Sequence, residues 1–92
     1  MRLRTTTNKR WRDKAWDDYV DWQNEDKKTA KRINDLIKDI ERNGLNKGIG
    51  KPEKLKYTEE WSRRIDDKNR LVYKIDEYGF IYIRSCKGHY DE

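Results

Sequence analysis

The stretch Trp61–Tyr73, WSRRIDDKNRLVY, has two arms with even-odd patterning on either side of a polar DDKN segment, which is the signature of a β-hairpin. Along the first arm Trp61, Arg63 and Ile65 share one face, leaving Ser62 and Arg64 on the other. Along the second, Leu71, Tyr73 and Ile75 share a face and Arg70, Val72 and Lys74 lie opposite. Pairing apolar face with apolar face makes Arg64 and Arg70 project together. Two guanidiniums side by side repel unless an anion lies between them, and their planar donor forks suit a phosphate. Asp66, Asp67 or Glu59 could equally pair with them across the turn, because exposed ion pairs form readily. The pattern of residues leaves both readings open.

Outward from the hairpin, the residues before it divide into helix, loop and strand. RLRTTTNKRW reads as a first strand, with Thr as its main β-former. Asp13 is placed to cap a helix in which Trp16, Tyr19 and Val20 recur at helical spacing. Asn24–Asp26 offers a break and a second cap. In the following segment Ala30, Ile33, Leu36, Ile37 and Ile40 form one stripe, ended by Gly44. The result is a helical hairpin with one apolar face; Lys27, Lys31, Asp35 and Lys38 read as a solvated surface.

A loop, GLNKGIGKPEK, contains three of the five glycines and the only proline. Strands follow: Lys54–Tyr57, Trp61–Ile65, Arg70–Ile75 and, beyond the turn residues Asp76–Gly79, Phe80–Cys86. Helices followed by consecutive strands predict an α+β fold, an N-terminal helical pair packed on one face of an antiparallel-rich twisted sheet.

Composition bounds what such a fold can do. The 92 residues suit a single domain spanning 1–92. Hydrophobic residues make up 33% and charged residues 45% of the chain, so the periodic placement of the apolar residues is what argues for a compact fold. A net charge of +5 favours polyanionic partners: nucleic acid, an acidic protein segment or an anionic membrane surface. No apolar run has the length of a membrane span, and the N-terminus has charges but no apolar core of a signal peptide, which makes the cytoplasm the expected location. The single Cys86 cannot form an intrachain disulfide and reads as a small buried hydrophobe at a strand end. One histidine and no cysteine cluster give no recognisable metal-ligand spacing, so neither a metal nor another cofactor is expected.

Separated blocks carry a more specific signal. WDDY and DWQ in the first helix, INDLIKD in the second, GKPEKLK in the loop, then WSRRI, RLVY and a terminal HY stand in fixed order from Trp11 to Tyr90. In these blocks the chain resembles the YoeB (Txe) toxins of bacterial toxin–antitoxin modules, within the RelE superfamily. Two features depart from the family pattern. The segment YTEE between LK and WS is shorter and lacks the usual Ser-Gly turn, and the N-terminus is longer, with a more polar first strand.

The resemblance implies a microbial-ribonuclease-like fold and a ribosome-dependent messenger-RNA endonuclease. It implies Glu53 of KPE as general base, Arg70 of RLVY as a phosphate-stabilising cation and His89 as general acid. Lys56, the second arginine Arg64 and Tyr90 belong to the same pattern, with Lys51 as a further phosphate contact; Tyr90 could stack or hydrogen-bond near the acid, or simply anchor the tail. It further implies a YefM (Axe)-like antitoxin with an acidic tail as partner, besides ribosome and message, in a homodimer or a heterotetramer with the antitoxin. Metal-free RNA cleavage through the ribose 2′-OH needs a base, an acid and cations on the phosphoryl oxygens, which these residue types supply. Without the resemblance, Glu53 among Lys51, Lys54 and Lys56 reads as a screened surface charge and His89 as an idle one. The alternative of another class is a noncatalytic basic module that binds nucleic acid or an acidic tail.

Overall fold

The computed structural model describes residues 8–88. His89 and Tyr90 therefore lie outside the described residues, as does most of the expected first strand. The elements are β1 (Lys9–Trp11), α1 (Asp13–Glu25), α2 (Lys27–Asn43), β2 (Glu53–Lys54), β3 (Trp61–Arg64), β4 (Arg70–Ile75) and β5 (Ile81–Ser85). One five-stranded sheet in the order β1-β5-β4-β3-β2 carries the helical pair on one face.

From β2 to β5 the sheet is the expected antiparallel meander. β1 differs: it runs parallel to β5, with Lys9 opposite Ile81 and Trp11 opposite Ile83, because the helical pair carries the chain back across the sheet before β2 begins. The α+β architecture stands, as a mixed sheet.

In α2 the whole predicted stripe is buried: Ala30, Ile33, Leu36, Ile37 and Ile40. Its start follows expectation too, since the Asp26 carboxylate accepts hydrogen bonds from the Thr29 amide (3.2 Å) and hydroxyl (2.8 Å). α1 needs two corrections. Its N-cap is Arg12, not Asp13. Arg12 donates its amide to Ile83 O at 3.0 Å as part of the sheet, so the chain steps from β1 into the helix with Asp13 already in the first turn, where its charge favours the helix dipole. The face α1 turns to the core is Ala15, Tyr19 and Trp22, while Trp16 and Val20 are exposed and Trp16 packs edge-on against Trp11.

Strand limits shift slightly. β4 has the predicted bounds, but the candidate Lys54–Tyr57 is displaced to Glu53–Lys54. After the Leu55 amide reaches Glu60 O at 2.9 Å the chain leaves the sheet, and the Thr58 hydroxyl accepts from the Glu60 amide at 3.1 Å, closing a bend that leaves Tyr57 outside. Among the described residues no helix is long and apolar enough to cross a membrane.

Helices and sheet share a core of Ala15, Ile33, Leu36, Ile37, Ile40, Ile65, Leu71, Tyr73, Ile81, Ile83 and Cys86. Cys86 is fully buried, its thiol against Ala15 O at 3.4 Å, and burial first of all, with the Asp18 charge nearby, pushes that thiol up to about 12. The thiolate is the reactive form. Native protein at pH 8 should therefore resist an alkylating reagent over a period in which the urea-unfolded chain is fully labelled. Equal labelling of both, read by mass spectrometry, would contradict a sealed core at this point.

Candidate active site

The three arginines of the opening hairpin have three different environments, set by the strand pleat. Arg63 alternates inward with Trp61 and is fully buried. Its Nε donates to the Tyr73 hydroxyl (2.8 Å), Nη1 to the Asp39 carboxylate and to Ile49 O (3.1 Å), and Nη2 to Gly44 O (2.8 Å) and Lys47 O (2.6 Å). Every N–H of the guanidinium is used. Burial pushes the Asp39 carboxyl up, but hydrogen bonds from Arg63 and the Ile49 amide, the Arg63 charge and Asn43 together outweigh it and hold the carboxyl below its ordinary value. Burial likewise raises the Tyr73 phenol, which keeps its proton at neutral pH and donates it to Leu45 O at 2.6 Å.

Arg64 and Arg70 are cross-strand partners on the outer face, so they do project together. Of the acidic partners that the sequence offered them, Asp67 is the one that meets an arginine here. Arg64 meets Asp67 at 3.3 Å with both side chains well exposed, a pair that contributes little. Asp66 instead closes the turn, accepting from the Lys68 amide (2.8 Å) and the Asn69 amide (2.7 Å).

Arg70 reaches the other way. Its Nη2 donates to Glu53 Oε1 at 2.7 Å and its Nε to the Ser62 hydroxyl at 3.0 Å. The β2–β3 register, which sets Glu53 opposite Ser62, makes this possible. Arg70 is largely buried at 15% side-chain exposure, whereas Glu53 is 68% exposed, so a held cation presents a carboxylate to solvent. The backbone of Arg70 also matters: its amide donates to Gly88 O at 3.0 Å, and the Gly88 amide donates to Asn69 Oδ1 at 2.8 Å. The segment that leads into His89 is thereby tied to the same strand end.

Of the sequence-predicted residues, Glu53 and Arg70 are in direct contact and Arg64 is beside Arg70 in the register. Lys51 is exposed at a positive φ of 51° just before Pro52 and Glu53. Lys56 is exposed on the bend after β2, with its ammonium 5.8 Å from the Tyr57 ring centroid. Sequence reasoning missed Ser62, which orients Arg70, and the set of Asp39, Arg63 and Tyr73. The signal for the latter was present: an arginine on the apolar face of a strand needs a buried carboxylate, and Asp39 flanks the α2 stripe three residues after Leu36. Among the described residues no group of three or more His, Cys, Asp or Glu side chains is disposed to hold a metal ion.

Known proteins share both the fold and much of the sequence. A family model described as the YoeB-like toxin of bacterial type II toxin–antitoxin systems matches residues 11–90. The toxin YoeB of Escherichia coli (strain K12) is 45% identical over 82 residues, covering 87% of this chain and 95% of that protein. Among solved structures, the heterotetrameric YoeB–YefM toxin–antitoxin complex from Staphylococcus aureus contains a chain 49% identical, with a TM-score of 0.85 over 94% of this chain and 100% of that one. The YoeB dimer from the same organism is 46% identical with a TM-score of 0.86 at the same coverage. On the family match, the sequence identity and the shared fold together, the chain belongs to the YoeB-like toxins of bacterial type II toxin–antitoxin systems.

Proposed function

We propose that this toxin is a ribosome-dependent endoribonuclease that cuts messenger RNA in the A-site codon without a metal, and so inhibits translation. The observation that carries this reading is the contact of Arg70 with Glu53 at 2.7 Å, on a strand end that also binds Gly88, the residue before His89. A phosphate-binding cation, a candidate base and the attachment point of a candidate acid thus converge.

In the proposed reaction Glu53 takes the proton of the ribose 2′-OH, and the 2′-oxygen attacks the adjacent phosphorus. The bond to the 5′-oxygen of the next nucleotide breaks, and that oxygen receives a proton from His89, leaving a 2′,3′-cyclic phosphate and a 5′-OH. Arg70 stabilises charge on the phosphoryl oxygens, where a fixed donor is worth more than a mobile one. Arg64, Lys56 and Lys51 contact flanking phosphates, with Tyr90 as a further RNA contact.

A chain this small has little surface with which to orient RNA, and orientation is a large part of such a barrier. The ribosome supplies it. Its partner in the resting state is a YefM-like antitoxin, in keeping with the YoeB–YefM heterotetramer of the Staphylococcus aureus relative, and a carboxylate-rich segment would suit the net charge of +5.

One end-labelled transcript, incubated with the toxin in the presence and absence of programmed ribosomes, tests the reading. We expect cuts within the A-site codon bearing 2′,3′-cyclic phosphate ends, insensitive to chelator at concentrations that leave the ribosome intact. Free transcript should be cut poorly and at scattered positions. Identical sites and equal rates in both would remove ribosome dependence, and no cleavage in either would leave a noncatalytic binder.

A further inference from the structure

The segment between α2 and β2, residues 44–52, has no helix or strand of its own, yet it ends at Glu53. A surface loop usually keeps its shape through its own turns. Here much of the fixing comes from the core. Arg63 binds the carbonyls of Gly44, Lys47 and Ile49. Tyr73, which itself receives a hydrogen bond from Arg63, binds that of Leu45. Asp39 accepts from the Ile49 amide at 3.1 Å. Just beyond, the Arg64 amide donates to Gly50 O at 2.7 Å, and Glu53 enters the sheet opposite Ser62.

The packing leaves this loop little alternative. At Gly48, φ is +117°, and a Cβ there would collide with the Asp39 carboxylate; one at Gly50, where φ is +83°, would lie 2.7 Å from Leu36 Cδ2. A buried ion pair is poor evidence of stability by itself, since apolar groups of the same volume often do as well. What an apolar pair could not do is hold three separate carbonyls of one loop.

We propose that Arg63, together with Asp39 and Tyr73, is a positioning residue: a buried clamp that sets the place of Glu53 relative to Arg70 through the loop 44–52. This rests on the reading of Glu53 as the base. On the outer face Ser62 orients Arg70; one residue along the same strand, Arg63 orients the loop that delivers Glu53. β3 thus fixes both sides of the contact.

The test uses full-length toxin carrying Asp39→Asn, or the paired replacement Arg63→Met with Asp39→Leu, which removes both charges at similar volume and guards against an unfolded single variant. Three quantities are measured: cleavage rate at saturating programmed ribosomes, urea midpoint, and amide exchange along the loop and α2. In folded variant protein we expect the saturated rate to fall by about 10²-fold, the magnitude of a misplacement near 1 Å. Amides at Leu45–Gly50 should exchange faster while those of Ile33–Ile40 stay slow. A folded variant with a loosened loop and a normal saturated rate overturns the proposal, as does a rate loss matched by the unfolded fraction alone. Glu53→Gln, measured in parallel, separates the two readings. Normal cleavage in that variant removes the base, whereas slow Glu53→Gln beside normal Asp39→Asn removes only the positioning role.

Discussion

Replacing Glu53 by Gln should slow cleavage of the A-site codon by roughly 10²–10⁴-fold, the usual contribution of a positioned general base. The substitution preserves the shape and an amide oxygen that can still accept from Arg70 Nη2, now 2.7 Å from Glu53 Oε1. It abolishes basicity. Because the Glu53 side chain is 68% exposed, the lost ion pair should change folding stability by no more than about 0.5 kcal/mol. Rates on programmed ribosomes and a urea transition measured on the same preparation decide the matter. Cleavage within a few-fold of the unsubstituted toxin would exclude Glu53 as base, and a fall in rate accompanied by a comparable fall in stability would leave the chemistry unassigned.

Arg63→Ala should be the most damaging single change to stability, costing about 3–5 kcal/mol, because it strands the Asp39 carboxylate in the interior. It also leaves the carbonyls of Gly44, Lys47 and Ile49 without the donor they now share. A domain of this size has a total stability of only about 5–15 kcal/mol, so a large part of it would go. The loss should depend on pH in a defined direction. With Arg63 present, Asp39 lies below its ordinary value in the folded state. Its stabilising contribution is therefore complete above the unfolded carboxylate range, near pH 4, and disappears as pH falls through the folded value. Without Arg63, its hydrogen bond and charge no longer help to hold the carboxyl down against burial, so the variant should lose less stability in acid than the unsubstituted toxin. The gap in unfolding free energy between the two proteins should narrow from pH 7 towards pH 3. Taking the difference cancels Asp26, Asp66 and Asp76, also lowered and common to both proteins. A gap that stays constant across this range would show that the Asp39–Arg63 charge pair is not its source.

Much of the fold was legible because its determinants are local. The period-two pattern gave β4 its bounds and put Arg64 and Arg70 on one face; the period of α2 named five residues that are all buried. What a period cannot give is the partner. It assigned Trp16 and Val20 to an apolar stripe of α1, but which side of that helix meets the sheet depends on β5, and Ala15 faces inward instead. The parallel pairing of β1 and the early exit of the chain after Leu55 depend on contacts distant in sequence. At the site, alternation placed Arg63 beside Trp61 and Ile65 without revealing that a carboxylate 24 positions earlier would meet it. The roles of Glu53, Arg70 and His89 were suggested by family resemblance, since spacing alone makes two of them ordinary surface charges.

The pairing of β1 with β5 has a consequence for biosynthesis. Residues Lys9–Trp11 leave the ribosome well before their partners Ile81–Ile83, with both helices and three strands synthesised in between. Closing that pair spans most of the chain, the kind of long-range contact that forms slowly and at high loop entropy. Arg70 likewise waits for Gly88. A nascent chain can assemble the helical pair early, but it cannot complete its sheet, or bring Gly88 to Arg70, until β5 and the residues just after it have been translated.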